Sequence, residues 1–368
     1  MRGRRTTRAA LVLALAALVF AVAGVSSASR TATPFKVAWI LVGPHNDGGW
    51  SQAHYNGMQY VQKVLGSKVQ TTYKENIAVG SQFEQTVGSL AAQGYKLIFA
   101  TSYGYLNKAL VAKYPNVLFE QATGTDVAPN LSEYFGAAED TVFLSGMAAG
   151  AASKTGNIGL VVAYPIPEVI RHANAFALGA QLTHPGATVR LVWTNSWYDP
   201  VKEKKAAQSL VSSGADVLGQ NVDSPAAGQF AESQGIPWVG YDSDASKFAP
   251  KSWLTASVYN WGPYMLKRVK QAMAGTWKPG FYYGSINDGF TKLAAYGPGV
   301  SAKTKALIAR YKAMIQSGKF YEFTGPLYDQ NGKLRVPKGV RMQVLKGGTN
   351  SLYGMNWLVK GVIGSPTG

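Results

Sequence analysis

The chain has 368 residues, of which 46% are hydrophobic and 15% charged, a balance typical of a folded globular protein with about two domains. It contains no cysteine, which excludes disulfides, zinc–thiolate sites, cysteine nucleophiles and a lipid anchor on a cysteine after an export signal. The formal net charge of +17 comes from scattered basic residues, which indicates solubility or attraction to anionic surfaces rather than a nucleic-acid partner.

The first predicted element is an export signal. Arg2, Arg4, Arg5 and Arg8 precede an apolar run over 9–24, and small residues at 26–28 suit cleavage. We therefore predict a cleavable signal peptide over residues 1–28, whose loss lowers the formal charge from +17 to about +13. The apolar run is shorter than the roughly 20 residues that span a bilayer. The sequence thus favours a periplasmic protein without a lipid anchor, unless the signal stays uncleaved and holds the chain to the membrane.

Strand and helix patterns then alternate along the chain. Short apolar runs predict parallel strands over 35–42, 68–73, 95–101, 116–122, 158–163, 188–194, 215–220, 236–241 and 254–259. Between them, apolar residues at helical spacing predict helices, for example over 58–65, 83–90, 169–180 and 202–212. Two consecutive βαβ series of this kind predict an α/β fold with two doubly wound parallel-sheet lobes.

The final third of the chain is less regular. A return crossing between lobes is predicted to begin at 281–287, a helix covers 303–316, and Asn331-Gly332 and Gly347-Gly348 suggest hairpins. From this order we assign residues 35–136 and 258–285 to lobe 1, residues 137–257 and 286–350 to lobe 2, and residues 351–368 to a C-terminal tail.

Two tryptophans occupy equivalent places in the two halves of the chain. Trp50 closes a glycine-rich turn after the first strand, and Trp197 closes a polar turn after the strand at 188–194. In open α/β sheets, ligands bind at the carboxyl ends of the strands, where these turns lie. One ring from each lobe would suit a flat heterocycle held between its two faces. The alternative is that both indoles pack in the core or at a hinge.

Other polar and aromatic side chains follow the same strand ends. The candidates for ligand binding are Asp47, Ser102, Tyr103, Asp140, Asn221, Asp223 and Asp242, in addition to the two tryptophans. Asp242 is the strongest acid candidate because it directly follows an apolar strand, whereas Asp223 could equally cap a helix. A purine offers two π-faces and an edge of N–H donors, which aromatic rings and carboxylates can bind.

Nothing in the sequence supports catalysis, a metal or a cofactor. It has no GxSxG elbow, no phosphate-binding loop of the GxxxxGK[ST] type and no GxGxxG after the first strand. Its four histidines do not have metal-binding spacing, although His45 lies beside the predicted site. We therefore expect a binding protein rather than an enzyme.

Several ordered segments resemble the basic membrane protein family of ABC-transporter substrate-binding proteins, of the purine nucleoside receptor type. The resemblance extends from about Lys36 to Arg335. The segments that carry it are 47–52 (DGGWSQ), 100–105 (ATSYGY), 138–146 (AEDTVFLSG), 165–171 (PIPEVIR), 196–202 (SWYDPVK) and 240–244 (GYDSD).

This resemblance implies a type I periplasmic binding fold, with two lobes joined by three crossings and closing on a ligand. It places Trp50 and Trp197 at the two aromatic stacking positions, Asp47 at the acid that binds the base edge, and Asp242 at the acid that usually holds ribose hydroxyls. It also implies an ABC permease and its ATPase subunits as partners. We expect a monomer that binds a small purine and no nucleic acid.

Two departures from the family pattern bear on the ligand. The lysine that contacts the sugar in nucleoside-binding members is absent after the strand at 254–259, where Asn260 and Trp261 follow. The lost lysine and the bulk of Trp261 favour a free purine base, adenine before guanine or hypoxanthine. A purine nucleoside, another small polar metabolite or a sensor that does not serve transport remain as alternatives.

Overall fold

The computed structural model describes residues 33–344 and 351–368. The predicted signal peptide and the predicted turn at Gly347-Gly348 lie outside these residues. Within the described ranges, no helix is long and apolar enough to cross a membrane.

The nine predicted strands are present, and two further elements that were not predicted, a strand over Leu131–Gly136 and a helix over Ala138–Ala152, follow the fourth of them. The strands are β1 (Phe35–Ile40), β2 (Val69–Lys74), β3 (Leu97–Ala100), β4 (Leu118–Ala122), β5 (Leu131–Gly136), β6 (Asn157–Val162), β7 (Thr188–Trp193), β8 (Val217–Asn221), β9 (Trp238–Asp242), β10 (Trp253–Tyr259), β11 (Phe281–Gly284), β12 (Thr291–Leu293), β13 (Leu327–Tyr328), β14 (Leu334–Val336) and β15 (Val362–Ile363). The α-helices are α1 (Trp50–Leu65), α2 (Ser81–Ala92), α3 (Lys108–Ala112), α4 (Ala138–Ala152), α5 (Pro167–Thr183), α6 (Pro200–Ser212), α7 (Ala226–Gln234), α8 (Trp261–Met273) and α9 (Ala302–Gln316).

Two parallel sheets form the cores of two lobes. The first sheet has the order β11-β5-β4-β3-β1-β2, and the second has the order β12-β10-β9-β8-β6-β7-β15. All pairs are parallel except β10 with β12. Both orders reverse around their central strands, which creates the crevice where α/β proteins bind ligands. The predicted fold class is confirmed, and so is the hairpin at Asn331-Gly332, which joins the antiparallel strands β13 and β14.

The chain passes between the lobes three times. It leaves the first sheet after β5, returns between β10 and α8, and crosses again between β11 and β12. Phe290 packs at the crossings so closely that a Cβ at Gly136 would lie 2.8 Å from its ring, and one at Gly284 would lie 2.3 Å from it. The paired glycines of β5 and β11 therefore let this ring fill the hinge.

Helix α4 is the buried centre of lobe 2. Its residues from Ala138 to Gly150 are buried on every side, because it packs against α5 and the second sheet. The helices α4 and α5 approach closely where they carry glycine: a Cβ at Gly146 would lie 2.2 Å from the Phe176 carbonyl oxygen. This close packing fixes the start of α5, which reaches the cleft between the lobes.

Candidate functional site

The loop after β1 is held by the side chain of Asp47. Its Oδ1 accepts the backbone N–H groups of Gly49 at 2.8 Å and Gln52 at 2.9 Å, and its Oδ2 accepts that of Ser51 at 2.9 Å. The first N–H groups of a helix have no partner inside the helix, so this carboxylate caps α1. The cap fixes the position of Trp50, the first residue of α1.

Trp50 is a largely buried ring with an aromatic support. It is 8% exposed, and its Nε1 donates a hydrogen bond to the Thr101 carbonyl oxygen at 2.6 Å. The rings of Tyr259 and Trp261 meet it edge-on at centroid distances of 5.7 and 5.3 Å. Because Trp261 lies behind Trp50 and does not line the cleft, its bulk does not restrict the ligand as the sequence analysis assumed.

Trp197 approaches the same cleft from lobe 2. It lies in the turn between β7 and α6, is partly exposed, and meets the Tyr164 ring edge-on at 5.1 Å. Its carbonyl oxygen accepts the backbone N–H of Asp223 at 2.9 Å, which ties this turn to the end of β8.

The two tryptophans line one cleft between the lobes. It contains about 370 Å³ of space free of protein atoms, part of it open to solvent. The lining residues are Val42, Trp50, Ser102, Tyr103, Thr123, Glu168, Trp197, Asn221, Asp223, Tyr241 and Asp242. Seven of the nine predicted site residues are therefore brought together here, from the carboxyl ends of strands in both lobes.

Three acidic side chains in this lining lack a basic counterpart in it. Asp223 follows β8, Asp242 ends β9, and Glu168 lies in the first turn of α5. Burial raises the pKa of Asp223 and of Asp242 well above the usual value for aspartate, and neighbouring carboxylates raise both further. Burial also raises the pKa of Glu168 to about 7, although Arg171 opposes the shift. The cleft is thus rich in hydrogen-bond acceptors that can also hold protons.

Backbone strain is concentrated in this lining. Thr123 and Asp242 have φ values of 72° and 65°, in the left-handed region that residues other than glycine seldom adopt. Such conformations cost about 1–3 kcal/mol and persist where the surrounding structure holds them in place, often at binding sites. Thr123 directly follows β4 and Asp242 is the last residue of β9, and both side chains line the cleft.

The lobes touch at the glycines that follow Asp47. A Cβ at Gly49 would lie 2.3 Å from the Asp223 carbonyl oxygen, and one at Gly48 would lie 3.0 Å from the Pro225 ring. The Ser243 hydroxyl, from lobe 2, donates a hydrogen bond to the Gly48 carbonyl oxygen. The lobes are therefore closed in this structure. The contact between them is possible only because Gly49 has no side chain.

A second compartment adjoins the cleft and shares Tyr103, Thr123 and Glu168 with it. It contains about 690 Å³ of space free of protein atoms, part of it open to solvent, and is also lined by Arg171 and Tyr353. Arg171 Nη2 and the Tyr353 hydroxyl are buried with no hydrogen-bond partner among the described residues. Arg171 is otherwise held by Glu139, with Nε 3.5 Å from Oε2.

Two predicted site residues do not line the cleft. The carboxylate of Asp47 is occupied by the N–H groups of α1, so it does not face a ligand edge. Asp140 lies in the first turn of α4, where a helix favours negative charge. Burial and Glu139 raise the pKa of Asp140 to about 8. Both residues support the architecture around the cleft rather than its surface.

The sequence analysis missed Glu168, Thr123 and Tyr241 as lining residues. The rule that ligands bind after strand ends could have found Thr123, which directly follows β4. Glu168 gave no such signal, because a glutamate after Pro167 is ordinary in the first turn of a helix. In the described part of the chain, no group of three or more acidic or histidine side chains could hold a metal ion.

Comparisons with known proteins agree with this architecture. The profile of the Bmp family, described as ABC transporter substrate-binding protein PnrA-like, matches residues 35–321. A purine-binding protein of Brucella abortus is 38% identical over 91% of this chain and 95% of its own length. A Haloferax volcanii protein, provisionally named as the glucose-binding protein of an ABC transporter, is 32% identical over 79% of this chain and 75% of its own length.

A solved structure shows the same fold. The solute-binding protein of an ABC transporter system from Conexibacter woesei superimposes with a TM-score of 0.65 at 22% identity, covering 78% of this chain and 98% of that one. With the family profile matching most of the chain, these comparisons lead to one conclusion: the chain belongs to the Bmp family of ABC-transporter substrate-binding proteins.

Proposed function

We propose that this protein captures a purine base, adenine in preference to other purines, and delivers it to the permease of an ABC importer. The observation that carries the proposal is the pairing of Trp50 from lobe 1 with Trp197 from lobe 2 across one cleft lined by carboxyl groups. Flat rings from opposite lobes suit a planar ligand that is enclosed when the lobes close.

The chemistry of the lining matches the two kinds of surface on a purine. Each base–aromatic stack contributes about 1–3 kcal/mol, and a hydrogen bond contributes about 0.5–1.5 kcal/mol between neutral groups and about 1.5–3 kcal/mol where one group is charged. Asp223, Asp242 and Glu168 can accept N–H groups from the edge of the base, while Ser102 and Asn221 add neutral hydrogen-bonding groups. A few such contacts support micromolar or tighter binding after the free-energy cost of association is subtracted.

The relatives support a small solute and leave its class to experiment. The Brucella abortus relative is named as purine-binding, and the Haloferax volcanii relative carries a provisional name for glucose binding. A purine has two flat π-faces for the two tryptophan rings and N–H groups on its edge for the carboxyl groups of the cleft. We therefore favour the purine, and we include glucose as a competitor in the test below.

A purine nucleoside is the second candidate, and one observation favours it. The second compartment lies next to the cleft and offers two donors that have no hydrogen-bond partner within 33–344 and 351–368, Arg171 Nη2 and the Tyr353 hydroxyl. Ribose hydroxyl groups could accept hydrogen bonds from both. With a free base bound, this compartment would hold water instead.

The cellular setting follows from the family and the sequence. We propose that the signal at residues 1–28 exports the protein to the periplasm, where a monomer carries its ligand to a permease with ATPase subunits. The absence of cysteine means that no lipidated cysteine tethers the mature chain. The excess of basic residues would then favour contact with anionic surfaces on the membrane.

Calorimetric titration with adenine, adenosine and glucose, together with mass spectrometry of ligand carried through purification, tests the proposal. We expect adenine to bind with micromolar or tighter affinity, adenosine to bind more weakly, and glucose not to compete. Tighter binding of adenosine would favour the nucleoside and the use of the second compartment. Binding of glucose without any purine would contradict the proposal.

A further inference from the structure

Two aspartates of the cleft have buried side-chain oxygens that accept no hydrogen bond from the described residues. Asp242 is 1% exposed, and neither of its side-chain oxygens has a hydrogen-bond partner among the described residues. Asp223, on the neighbouring strand end, has one buried oxygen in the same condition. An unpaired buried carboxylate costs several kcal/mol, so a carboxyl group in this position tends to hold a proton.

The groups around Asp242 reinforce this tendency. Glu168 of α5 and Asp47 of the loop before α1 act on Asp242. The same two acids, together with Asp242 and Glu203 of α6, act on Asp223. These acids raise the pKa of the two aspartates in addition to burial.

The remaining polar neighbours do not offset these acids. The hydroxyl of Tyr241 lies 3.1 Å from His172 Nδ1 and 3.3 Å from the hydroxyl of Tyr259, so it is engaged away from Asp242. Burial and Arg171 lower the pKa of His172 well below its usual value, which keeps that ring neutral. Arg171 itself pairs with Glu139.

We propose that Asp242 binds the purine as a neutral carboxylic acid, donating its O–H to a ring nitrogen and accepting an exocyclic N–H on its other oxygen. This inference rests on the proposed function and states which hydrogen-bonding pattern of the base Asp242 recognises. Adenine presents a donor beside an acceptor on its edge, since its amino group lies next to ring nitrogens that carry lone pairs. A carboxylic acid presents the complementary pair, whereas a carboxylate would set a lone pair against a lone pair.

The same chemistry separates adenine from guanine. The edge of guanine carries two adjacent donors, a ring N–H and an amino group, which suit a carboxylate with two acceptor oxygens. A protonated Asp242 would place its O–H against one of those donors. The protonation state of this side chain therefore acts as a determinant of specificity between purines of the same size.

Binding should take up a proton near neutral pH. Burial in the closed cleft raises the pKa of Asp242, and a base that needs the proton raises it further, whereas opening the cleft to water removes part of this shift. A group whose pKa is raised in the bound state contributes fully below its open-state pKa, and its contribution is lost as pH rises toward the bound-state pKa. Adenine affinity should therefore fall by up to about tenfold per pH unit in this window.

The test is calorimetric titration of adenine between about pH 6 and about pH 8, in buffers with different ionisation enthalpies. Wild type should take up about one proton more for each adenine bound than Asp242→Asn does, and its Kd should rise with pH. Asp242→Asn replaces the acid with an amide that keeps a donor group and an acceptor and does not titrate. It should bind adenine within about tenfold of wild type at pH 7, and any proton uptake that remains in it reports on the other acids of the cleft, Asp223 and Glu168.

Controls separate the possible failures. Asp244→Asn changes an exposed acid two residues away, whose Oδ1 accepts the Ser246 N–H at 3.0 Å, and should keep the wild-type proton uptake. Asp242→Ala should weaken adenine binding more than Asp242→Asn does, and thermal unfolding of each variant checks the fold. Equal proton uptake by wild type and Asp242→Asn, or complete loss of adenine binding in a folded Asp242→Asn, would overturn the inference but leave the purine function intact. Failure of wild type to bind any purine would overturn the function itself.

Discussion

Trp50 and Trp197 differ in how much of each ring the protein already uses. Trp50 donates to the Thr101 carbonyl oxygen and packs against Tyr259 and Trp261, so it is both core and cleft wall. Trp197 is partly exposed and, among the described residues, has one aromatic neighbour, Tyr164, although it also packs against core side chains. Trp197 therefore separates the effect of stacking from the effect of packing more fully than Trp50 does.

Trp197→Ala should weaken adenine binding by about 5- to 140-fold, which corresponds to the loss of one stack of about 1–3 kcal/mol. Its free energy of unfolding should fall by less than about 3 kcal/mol, because the ring is only partly buried. Trp50→Ala should lower the free energy of unfolding by about 3–5 kcal/mol as well, because it removes a buried ring. Calorimetric titration and denaturant unfolding measure the two effects.

The matched control is Tyr198→Ala, next in sequence to Trp197. Tyr198 is 37% exposed and does not line the cleft, so its loss should leave the Kd for adenine unchanged. Equal Kd values for wild type and Trp197→Ala would contradict the stacking role.

At this scale, the sequence predicted residues that follow strand ends and missed those placed by three-dimensional packing. The position of strand ends identified four residues. A strand ends at Asn221 and another at Asp242. Trp50 directly follows the turn after β1, and Trp197 lies in the turn after β7. Glu168 could not be found in this way, because the close approach of α5 to α4 brings it to the cleft. Asp47 showed the converse: its place in sequence was right, but the N–H groups of α1 take its carboxylate.

Helix α1 depends on that capping carboxylate. Asp47→Ala should lower the free energy of unfolding by about 1–2 kcal/mol, since three N–H groups lose their acceptor. The Kd for adenine should rise by less than about tenfold, because Asp47 does not line the cleft. Denaturant unfolding and calorimetric titration give the two values.

Asp199→Ala provides the comparison. Asp199 caps α6 by accepting the Lys202 N–H at 3.0 Å, away from the cleft lining. Its loss should reduce stability to a similar degree without changing affinity. A large loss of affinity in Asp47→Ala with unchanged stability would instead restore the direct contact with the base that the sequence suggested.

Two elements had no clear pattern in the sequence. Strand β5 contains Ser132 and Glu133 among its buried residues, and Glu133 pairs with the Gln121 amide at 3.1 Å, so neither an apolar run nor alternation marks it. Helix α4 is buried on every side, so its apolar residues do not form the single stripe by which amphipathic helices are recognised. Both elements are central to the fold. Because they are buried on all sides, their sequences lack the alternating or helical pattern from which an element can be predicted.

Closure of the whole molecule depends on a residue without a side chain. A Cβ at Gly49 would overlap the backbone of Asp223 in the opposite lobe, at 2.3 Å from its oxygen and 2.8 Å from its Cα. Gly49→Ala should therefore keep the lobes apart and raise the apparent Kd for adenine about tenfold or more, if the closed population falls below about a tenth. X-ray scattering with ligand present should give a larger radius of gyration than wild type.

Gly280→Ala is the control for this prediction, because a Cβ there would meet no atom within 4 Å. It should close on ligand as wild type does. Compaction of Gly49→Ala to the wild-type radius, with unchanged affinity, would show that this contact does not limit closure.

The overall architecture was predictable because it rests on a repeated pattern, two series of strands and helices in one chain. The end of the chain was not, because β15 has two residues and no periodicity. Residues 351–368 were set apart as a tail, yet β15 pairs with β7, and Asn174 of α5 exchanges hydrogen bonds with the backbone of Trp357 and Val359.

The late position of two edge strands has a consequence for biosynthesis. β11 joins the first sheet only after nearly all of the second has been made, and β15 joins the second sheet from the last residues of the described chain. A nascent chain interrupted before β11 thus carries two unfinished sheets with unpaired edges, which are prone to aggregate. For the same reason, neither lobe can be produced as one uninterrupted fragment of the chain. To study one lobe alone, segments that are distant in the sequence must be joined.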